Sequence, residues 1–161
     1  MTQPALDPGH VRVPHRHVHE FHVRFGDIDS LGHVNNCRYL TYLEDARVAM
    51  FYTDPDREGR RRPLHGLVVA RHEVDYKRPL LLRPEPVRVE TRVTEIRAAS
   101  FRLAYEVRDD EHVYARATSV MVGYGLKQNR TRRFDEEERA FLEQYLVTGR
   151  GTGDSSVTNF E

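Results

Sequence analysis

The sequence has almost no cysteine and no long hydrophobic run. Cys37 is the only cysteine among its 161 residues. A single cysteine excludes an intrachain disulfide and a zinc site built from several cysteines. The first residues have no apolar core of the length found in signal peptides, and no segment approaches the roughly 20 apolar residues of a membrane-spanning helix. We therefore expect a cytoplasmic protein that does not insert into a membrane.

The chain also lacks an excess of charge of either sign. It carries 25 basic and 25 acidic side chains, so its formal net charge is +0. A general nucleic-acid-binding surface would be strongly basic, so this composition speaks against nucleic acid as a partner. Any polyanionic ligand must bind to a local basic cluster. The length suits one domain with a core of its own.

The most informative segment is 24–51, which predicts a strand end, a turn and a long helix. Apolar side chains recur at steps of three and four residues between positions 39 and 50. This spacing is typical of a helix with one buried face, here over residues 36–52. Glu44 falls on the opposite face. We expect it to be an exposed partner of Arg47, with a catalytic base on this helix as the alternative.

The turn before this helix places acidic side chains close to backbone donors. Asn35 or Asn36 can cap the helix, because an asparagine side chain accepts from N–H groups that the first turn leaves unpaired. The helix start then offers N–H donors at the positive end of its dipole, which suit an oxygen with partial negative charge. Asp27 and Asp29 lie just upstream. Each could be only a turn former that accepts local N–H groups, and we expect that role for Asp27.

Several other polar residues near this segment have open roles. His33 either hydrogen-bonds the carboxylate or is structural. Cys37 could be a nucleophile, but packing is the usual role of a lone cysteine in an apolar helix. The histidines at 15, 17 and 19 share one strand face, but a linear run rarely converges on a metal ion. We therefore expect adventitious metal binding there and no functional metal site.

Alternating side chains predict five strands around the long helix. The predicted strands cover residues 17–25, 66–77, 87–93, 101–108 and 112–124, and a short helix follows at 135–146. Mostly hairpin-length connections imply an α+β fold, with a five-stranded antiparallel sheet wrapped around one long central helix. Residues 1–16 are expected to be a flexible arm and 148–161 a disordered tail. Exposed sheet edges favour self-association.

The segment Phe25-Gly-Asp-Ile-Asp-Ser-Leu-Gly-His-Val-Asn-Asn resembles the hotdog-fold thioesterases of the 4-hydroxybenzoyl-CoA thioesterase family. The likeness extends over about 19–124 and includes Glu-Asp-Ala-Arg at 44–47 and Tyr-Lys-Arg-Pro-Leu at 76–80. Within the family it is most similar to the branch that acts on fatty acyl-CoA or acyl-carrier-protein thioesters. The resemblance implies a hotdog domain over 17–147 that forms a homodimer or homotetramer with active sites between subunits.

The resemblance also implies roles for particular residues. Asp29 would be the catalytic carboxylate, acting as a nucleophile on the thioester carbonyl or as a base on water. The backbone N–H of Asn36 would polarise that carbonyl, with His33 and Asn35 beside it. No metal or other cofactor is needed. Candidate substrate-binding residues are Tyr39, Gly66, Arg97, Arg60, Arg61 and Arg62.

The nucleotide phosphate site departs from the family pattern. Arg97 stands where the family has one residue of a basic run, but alanines replace its neighbours at 98 and 99. The basic segments 60–62 and 130–133 are the alternatives. An acyl-CoA substrate, an acyl group on acyl carrier protein and a module that binds acyl thioesters without hydrolysis all remain open.

Overall fold

The computed structural model describes residues 15–53 and 64–147. The predicted tail lies outside these residues, as does the predicted N-terminal arm apart from its last two residues. The candidate phosphate-binding residues Arg60, Arg61 and Arg62 also lie outside them. Over the described residues, no helix is long and apolar enough to cross a membrane.

One antiparallel sheet and a long helix make up most of the described structure. The strands are β1 (His17–Phe21), β2 (Leu67–Tyr76), β3 (Val87–Ile96), β4 (Ser100–Arg108), β5 (Val113–Gly125) and the short β6 (Arg130–Thr131). The helices are α1 (Asn36–Val48), extended by a π-helical turn over Ala49–Thr53, and α2 (Glu136–Glu143). The strand order is β1-β3-β4-β5-β2, and β6 pairs with β5. The predicted five-stranded α+β arrangement is confirmed, and β6 is a two-residue addition to it.

The core lies between α1 and the concave face of the sheet. Strand β4 alternates strictly, because Phe101, Leu103 and every second residue after them turn inward. From α1, Leu43 and Ala46 are completely buried against this face. Burying a leucine or phenylalanine side chain contributes about 1.5–3 kcal/mol, so this contact holds the helix on the sheet. The Phe51 ring meets that of Phe101 edge to face, 5.9 Å between centroids.

The outer edge of the sheet is formed by β2, which pairs only with β5 among the described strands. Its apolar residues are far less covered than those of β4, since Val68, Val69 and Tyr76 are all exposed to solvent. Helix α1 runs antiparallel to β2, because the hydroxyl of Tyr76 reaches the first residue of the helix and Arg47, in its last turn, lies near His72, earlier in the strand. The last residue of the edge strand therefore lies beside the start of the helix.

Three local expectations were wrong. Strand β1 ends at Phe21, and Phe25 lies in a 3-10 turn with 84% of its surface exposed, because the chain turns back at Asp27. Cys37 is exposed in the first turn of α1 and does not pack into the core. Arg47 is buried and forms no ion pair with the exposed Glu44.

Candidate active site

The loop between β1 and α1 is closed by short backbone contacts. Ile28 and Val34 form an antiparallel bridge. Inside it, the N–H of Asp29 donates to the carbonyl of His33, and the N–H of Gly32 donates to the carbonyl of Asp29, each at 3.0 Å. Gly32 has a φ of 78°, in the left-handed region that glycine adopts most readily. The loop is therefore narrow and holds Asp29 at its base.

The carboxylate of Asp29 is only lightly bonded. Its Oδ1 accepts from the N–H of Leu31 at 2.9 Å, whereas its Oδ2 accepts from Nδ2 of Asn35 at 3.4 Å, which is long for such a bond. A carboxylate has acceptor capacity for about four hydrogen bonds. The side chain is half-buried. Asp29 is therefore held by one oxygen, and the other oxygen keeps capacity for a further contact.

The start of α1 lies directly beside this carboxylate. Asn35 is the N-cap, and its Oδ1 accepts from the N–H of Cys37 at 3.0 Å. Over residues 15–53 and 64–147, the N–H of Asn36 has no acceptor, as is usual for the first helical residue. Tyr76 fixes this end of the helix, because its hydroxyl donates to the carbonyl of Asn36 at 3.0 Å. A free N–H donor and a carboxylate with spare capacity thus lie side by side.

Of the four candidate catalytic residues, the loop brings Asp29, Asn35 and Asn36 together. His33 is their neighbour in the loop and contributes its main-chain carbonyl. Within the described segments, its imidazole makes no hydrogen bond to Asp29. The arrangement is chemically sufficient to polarise a carbonyl and to present a carboxylate to it.

Asp27 has a very different environment from Asp29. Its side chain is buried and accepts from the hydroxyl of Tyr42 at 2.7 Å and from the N–H of Arg24 at 3.0 Å. Its main-chain carbonyl accepts from the N–H of Asn35 at 2.8 Å. Burial, and then the hydrogen bond to Asp27, raise the pKa of Tyr42 well above its usual value. Asp27 therefore joins the loop to the inner face of α1.

Tyr39 lies one turn into α1, on its buried face. Its ring meets that of Tyr76 edge to face at 5.1 Å. Burial, followed by the proximity of Tyr76, raises the pKa of Tyr39 to about 12. The two tyrosines form an aromatic wall next to the helix start.

Gly66 and Arg97 lie at the opposite end of the sheet. Gly66 precedes β2 with a φ of 59°, and an added Cβ would collide with the carbonyl oxygen of Tyr124. Arg97 lies in the β3–β4 turn and pairs with Glu95 at 2.8 Å. Because β2 rises about 3.3 Å per residue, Gly66 is roughly 30 Å along the strand from Tyr76. Within one chain, these two candidates therefore do not meet the Asp29 loop.

A polar cluster between the last turn of α1 and the sheet was not foreseen. Nη1 of Arg47 donates to the hydroxyl of Tyr105 at 3.4 Å, and Nδ1 of His72 lies 2.6 Å from Oγ of Ser119. Burial first, and then the charge of Arg47, lower the pKa of His72. Position 47 falls on the apolar stripe set by Leu43, which is the one sequence signal that could have placed it inside.

Among the described residues, the histidines of β1 belong to no cluster of metal-binding side chains. His17 is buried, and its ring lies edge to face with that of Tyr145 at 6.3 Å. In the part of the chain that the structure describes, no group of three or more histidine, cysteine, aspartate or glutamate side chains is arranged to hold a metal ion.

Comparison with known families identifies one match that covers most of the chain. The model of the thioesterase-like superfamily matches residues 23–142, which includes the Asp29 loop, α1 and the whole main sheet apart from β1. No curated protein sequence matches the chain.

Solved structures of thioesterases share the fold. A thioesterase from Thermus thermophilus, in complex with coenzyme A and zinc, is 33% identical with a TM-score of 0.64, over 78% of this chain and 90% of that one. The probable thioesterase YbaW from Escherichia coli is 25% identical with a TM-score of 0.65, over 80% and 97%. A 1,4-dihydroxy-2-naphthoyl-CoA thioesterase from Synechocystis is 18% identical with a TM-score of 0.66, over 79% and 95%, which shows the shared hotdog fold alone.

Proposed function

Since the chain belongs to the thioesterase-like superfamily, we propose that it hydrolyses acyl-CoA thioesters, with Asp29 as the catalytic carboxylate. The observation that carries this proposal is the pairing of a lightly bonded Asp29 with the free N–H of Asn36. Thioester hydrolysis in general follows from the family. The choice of substrate and the role of each residue are the proposed part.

The N–H of Asn36 would bind the thioester carbonyl oxygen. Its partial positive charge at the helix start stabilises the negative charge that develops on this oxygen as the carbonyl carbon becomes tetrahedral. Asn35 would hold Asp29 in reach through its long Nδ2 contact. Tyr76 keeps the helix start in place through the Asn36 carbonyl.

Asp29 can act in two ways. As a nucleophile, its oxygen bonds to the carbonyl carbon, the C–S bond breaks, and the thiolate leaves and takes a proton, after which water cleaves the mixed anhydride. As a base, it removes a proton from a water that attacks the same carbon. Hydroxylamine added during turnover separates these routes, because capture of an acyl anhydride gives hydroxamate faster than hydroxylamine reacts with the same acyl-CoA without enzyme.

Coenzyme A is the favoured carrier of the acyl group. The similar Thermus thermophilus thioesterase binds coenzyme A, and this chain covers 90% of that protein. Of the phosphate-binding candidates, Arg97 and the basic segment 130–133 lie at the end of the sheet away from the Asp29 loop. A site that contains both the Asp29 loop and these basic residues therefore needs a second copy of the chain. We accordingly propose a homodimer or a higher homo-oligomer. An active monomer in light scattering would contradict this assembly.

The test is release of free thiol from a panel of acyl-CoA thioesters, short to long and one aromatic. The wild type is compared with Asp29→Asn and with Asp45→Asn, a matched control at an exposed position of α1. We expect release by the wild type and by the control, with a loss of about 10³-fold in Asp29→Asn. Equal activity in all three proteins would exclude Asp29. Release from acyl carrier protein alone would exclude coenzyme A as the carrier.

A further inference from the structure

The side chain of Arg47 lies largely inside the protein and has no counter-charge among the described residues. Arg47 is 8% exposed, and over residues 15–53 and 64–147 no carboxylate forms an ion pair with it. Its polar contact is the 3.4 Å hydrogen bond to the neutral hydroxyl of Tyr105. Among the described residues the charge of Arg47 has no anionic partner, and the nitrogens that do not bond Tyr105 are not sealed from solvent, so a ligand can reach them. Such a group is expected where an anion binds.

The neighbours of Arg47 are neutral donors that suit a small anion. Tyr105 and Ser119 are both almost completely buried, and the Ser119 side chain interacts with the Tyr105 hydroxyl. His72 lies opposite Ser119 in the β2–β5 ladder, with Nδ1 2.6 Å from Oγ. Because the pKa of His72 is lowered, its ring is neutral at pH 7 and Arg47 is the single charged member. A flat monoanion such as a carboxylate matches one guanidinium, whereas a phosphate dianion would leave charge uncompensated.

This cluster lies further along α1 and β2 than the Asp29 loop. His72, Val74 and Tyr76 alternate on the face of β2 that turns towards α1, and they lead from Arg47 back to the helix start. The helix rises 1.5 Å per residue, so Asn36 and Arg47 are roughly 16 Å apart along its axis. Helical side chains lean towards the helix start, and the long side chain of Arg47 therefore shortens this span. A medium-length acyl chain with its carbonyl at Asn36 would end near Arg47.

We infer that Arg47, Tyr105, Ser119 and His72 form a subsite for the far carboxylate of an acyl group. The preferred substrates are then thioesters of dicarboxylic acids, and the uncharged chains of ordinary fatty acids are bound less well. This inference rests on the proposed function, because it assumes that the carbonyl of the acyl group binds at Asn36. Arg47 would be a specificity-determining residue and would take no part in bond cleavage.

The first experiment compares suberyl-CoA with octanoyl-CoA, which have the same chain length and differ in a terminal carboxylate. In the wild type we expect kcat/KM to be at least about tenfold higher for suberyl-CoA, as a charge-assisted hydrogen bond provides. Arg47→Met should abolish this preference, and Tyr105→Phe should reduce it. Arg71→Met is the matched control, because Arg71 is an exposed arginine of the same strand as His72 and pairs with Glu73. A preference that is absent in the wild type, or equal in Arg47→Met, would overturn the inference.

A second measurement separates a substrate subsite from a contact with another copy of the chain. If Arg47 has no anionic partner until a substrate binds, Arg47→Met removes an uncompensated charge. The melting temperature without ligand should then stay the same or rise. If a carboxylate from a second copy neutralises Arg47, the same variant should lose both its oligomeric state and several degrees of melting temperature. That second result would overturn the inference.

A third measurement is independent of turnover. Binding of suberyl-CoA and octanoyl-CoA to Asp29→Asn is measured by calorimetry, with inorganic phosphate as a competitor. Tighter binding of suberyl-CoA would support the subsite even if the wild type hydrolysed neither thioester, in which case only the proposed function would fail. Equal binding of the two thioesters, or displacement of suberyl-CoA by phosphate at comparable concentration, would count against a carboxylate subsite.

Discussion

Two aspartate-containing turns of this protein have opposite environments. Asp109, in the β4–β5 turn, accepts from Nη1 of Arg83 at 2.6 Å, from the hydroxyl of Tyr114 at 2.5 Å and from two backbone N–H groups. Asp29, in the loop before α1, accepts from one backbone N–H at 2.9 Å and from one amide at 3.4 Å. The same residue type in the same kind of local structure is thus fully bonded in one place and lightly bonded in the other.

The difference shows which turn is built for stability. Burial alone would raise the pKa of Asp109, but the hydrogen bonds from Tyr114, Arg83 and the turn N–H groups outweigh it and hold the pKa well below its usual value. Each carboxylate oxygen of Asp109 already accepts two hydrogen bonds, so no acceptor capacity is left for a substrate. Asp29 keeps that capacity and lies beside a free N–H donor. Bonding around a carboxylate therefore separates structural from reactive candidates better than residue type does.

The largest expected effect comes from Asp29→Asn. This variant should lose about 10³-fold or more in kcat and keep its melting temperature, because the amide can still accept from Leu31 but can neither attack a carbonyl nor remove a proton. Thiol release measures the loss of kcat, and thermal unfolding of the same preparation measures the melting temperature. A loss of several degrees in melting temperature would place Asp29 with Asp109 as a structural residue.

Asp109→Asn should show the reverse pattern. Losing one charged acceptor beneath Arg83 should cost about 2–3 kcal/mol of unfolding free energy, with kcat within about threefold of the wild type. Because the folded pKa of Asp109 is lowered, its contribution is complete above the unfolded pKa of about 3.9 and is lost as the pH falls towards the folded value. The stability difference between variant and wild type should therefore be full at pH 6 and shrink below about pH 4. A difference that does not change with pH would contradict the ionic origin.

Much of the fold could be predicted, because it depends on local patterns. The steps of three and four residues located α1, and alternation located β3, β4 and β5. For α2, Asp135 caps the helix and accepts from the N–H of Glu138, three residues on. The surroundings of Asp29 were predictable for the same reason, since its own hydrogen bonds all reach residues between Leu31 and Asn35. Phe25 was wrongly assigned to strand β1, because the alternating pattern of side chains continues as far as this residue. In the structure the chain turns there, since the N–H of Arg24 donates to the carboxylate of Asp27.

Contacts between distant segments could not be predicted in this way. Arg47 was assigned to the surface by its charge, yet it is buried by strands that lie far from it in the sequence. Its partner Tyr105 and the pair formed by His72 and Ser119 depend on sheet register. A single sequence gives strand positions, but the strand order and the one-residue shifts at bulges decide which side chains meet.

A smaller effect is expected for Asn35→Ala. The side chain both caps α1 through Cys37 and reaches Asp29 through Nδ2. Removing it should cost about 1 kcal/mol of stability as a lost N-cap, and about tenfold in kcat as a loosened carboxylate. Asn35→Asp is the matched control, because it keeps the cap but places a second negative charge beside Asp29. If both variants keep full kcat, Asn35 is a cap alone.

The smallest effect is expected for Tyr42→Phe, which removes only the hydroxyl that Asp27 accepts from at 2.7 Å. Asp27 keeps the backbone N–H of Arg24, so one buried acceptor is left partly unsatisfied and the cost should be about 1 kcal/mol. Because Asp27 also holds Asn35 through its main-chain carbonyl, the loop itself should persist and kcat should fall by less than about threefold. Chemical denaturation measures the change in unfolding free energy, and thiol release measures the change in kcat. A loss in kcat comparable to that of Asp29→Asn, at little cost in stability, would show that Asp27 takes part in the chemistry and that full bonding does not exclude a reactive role.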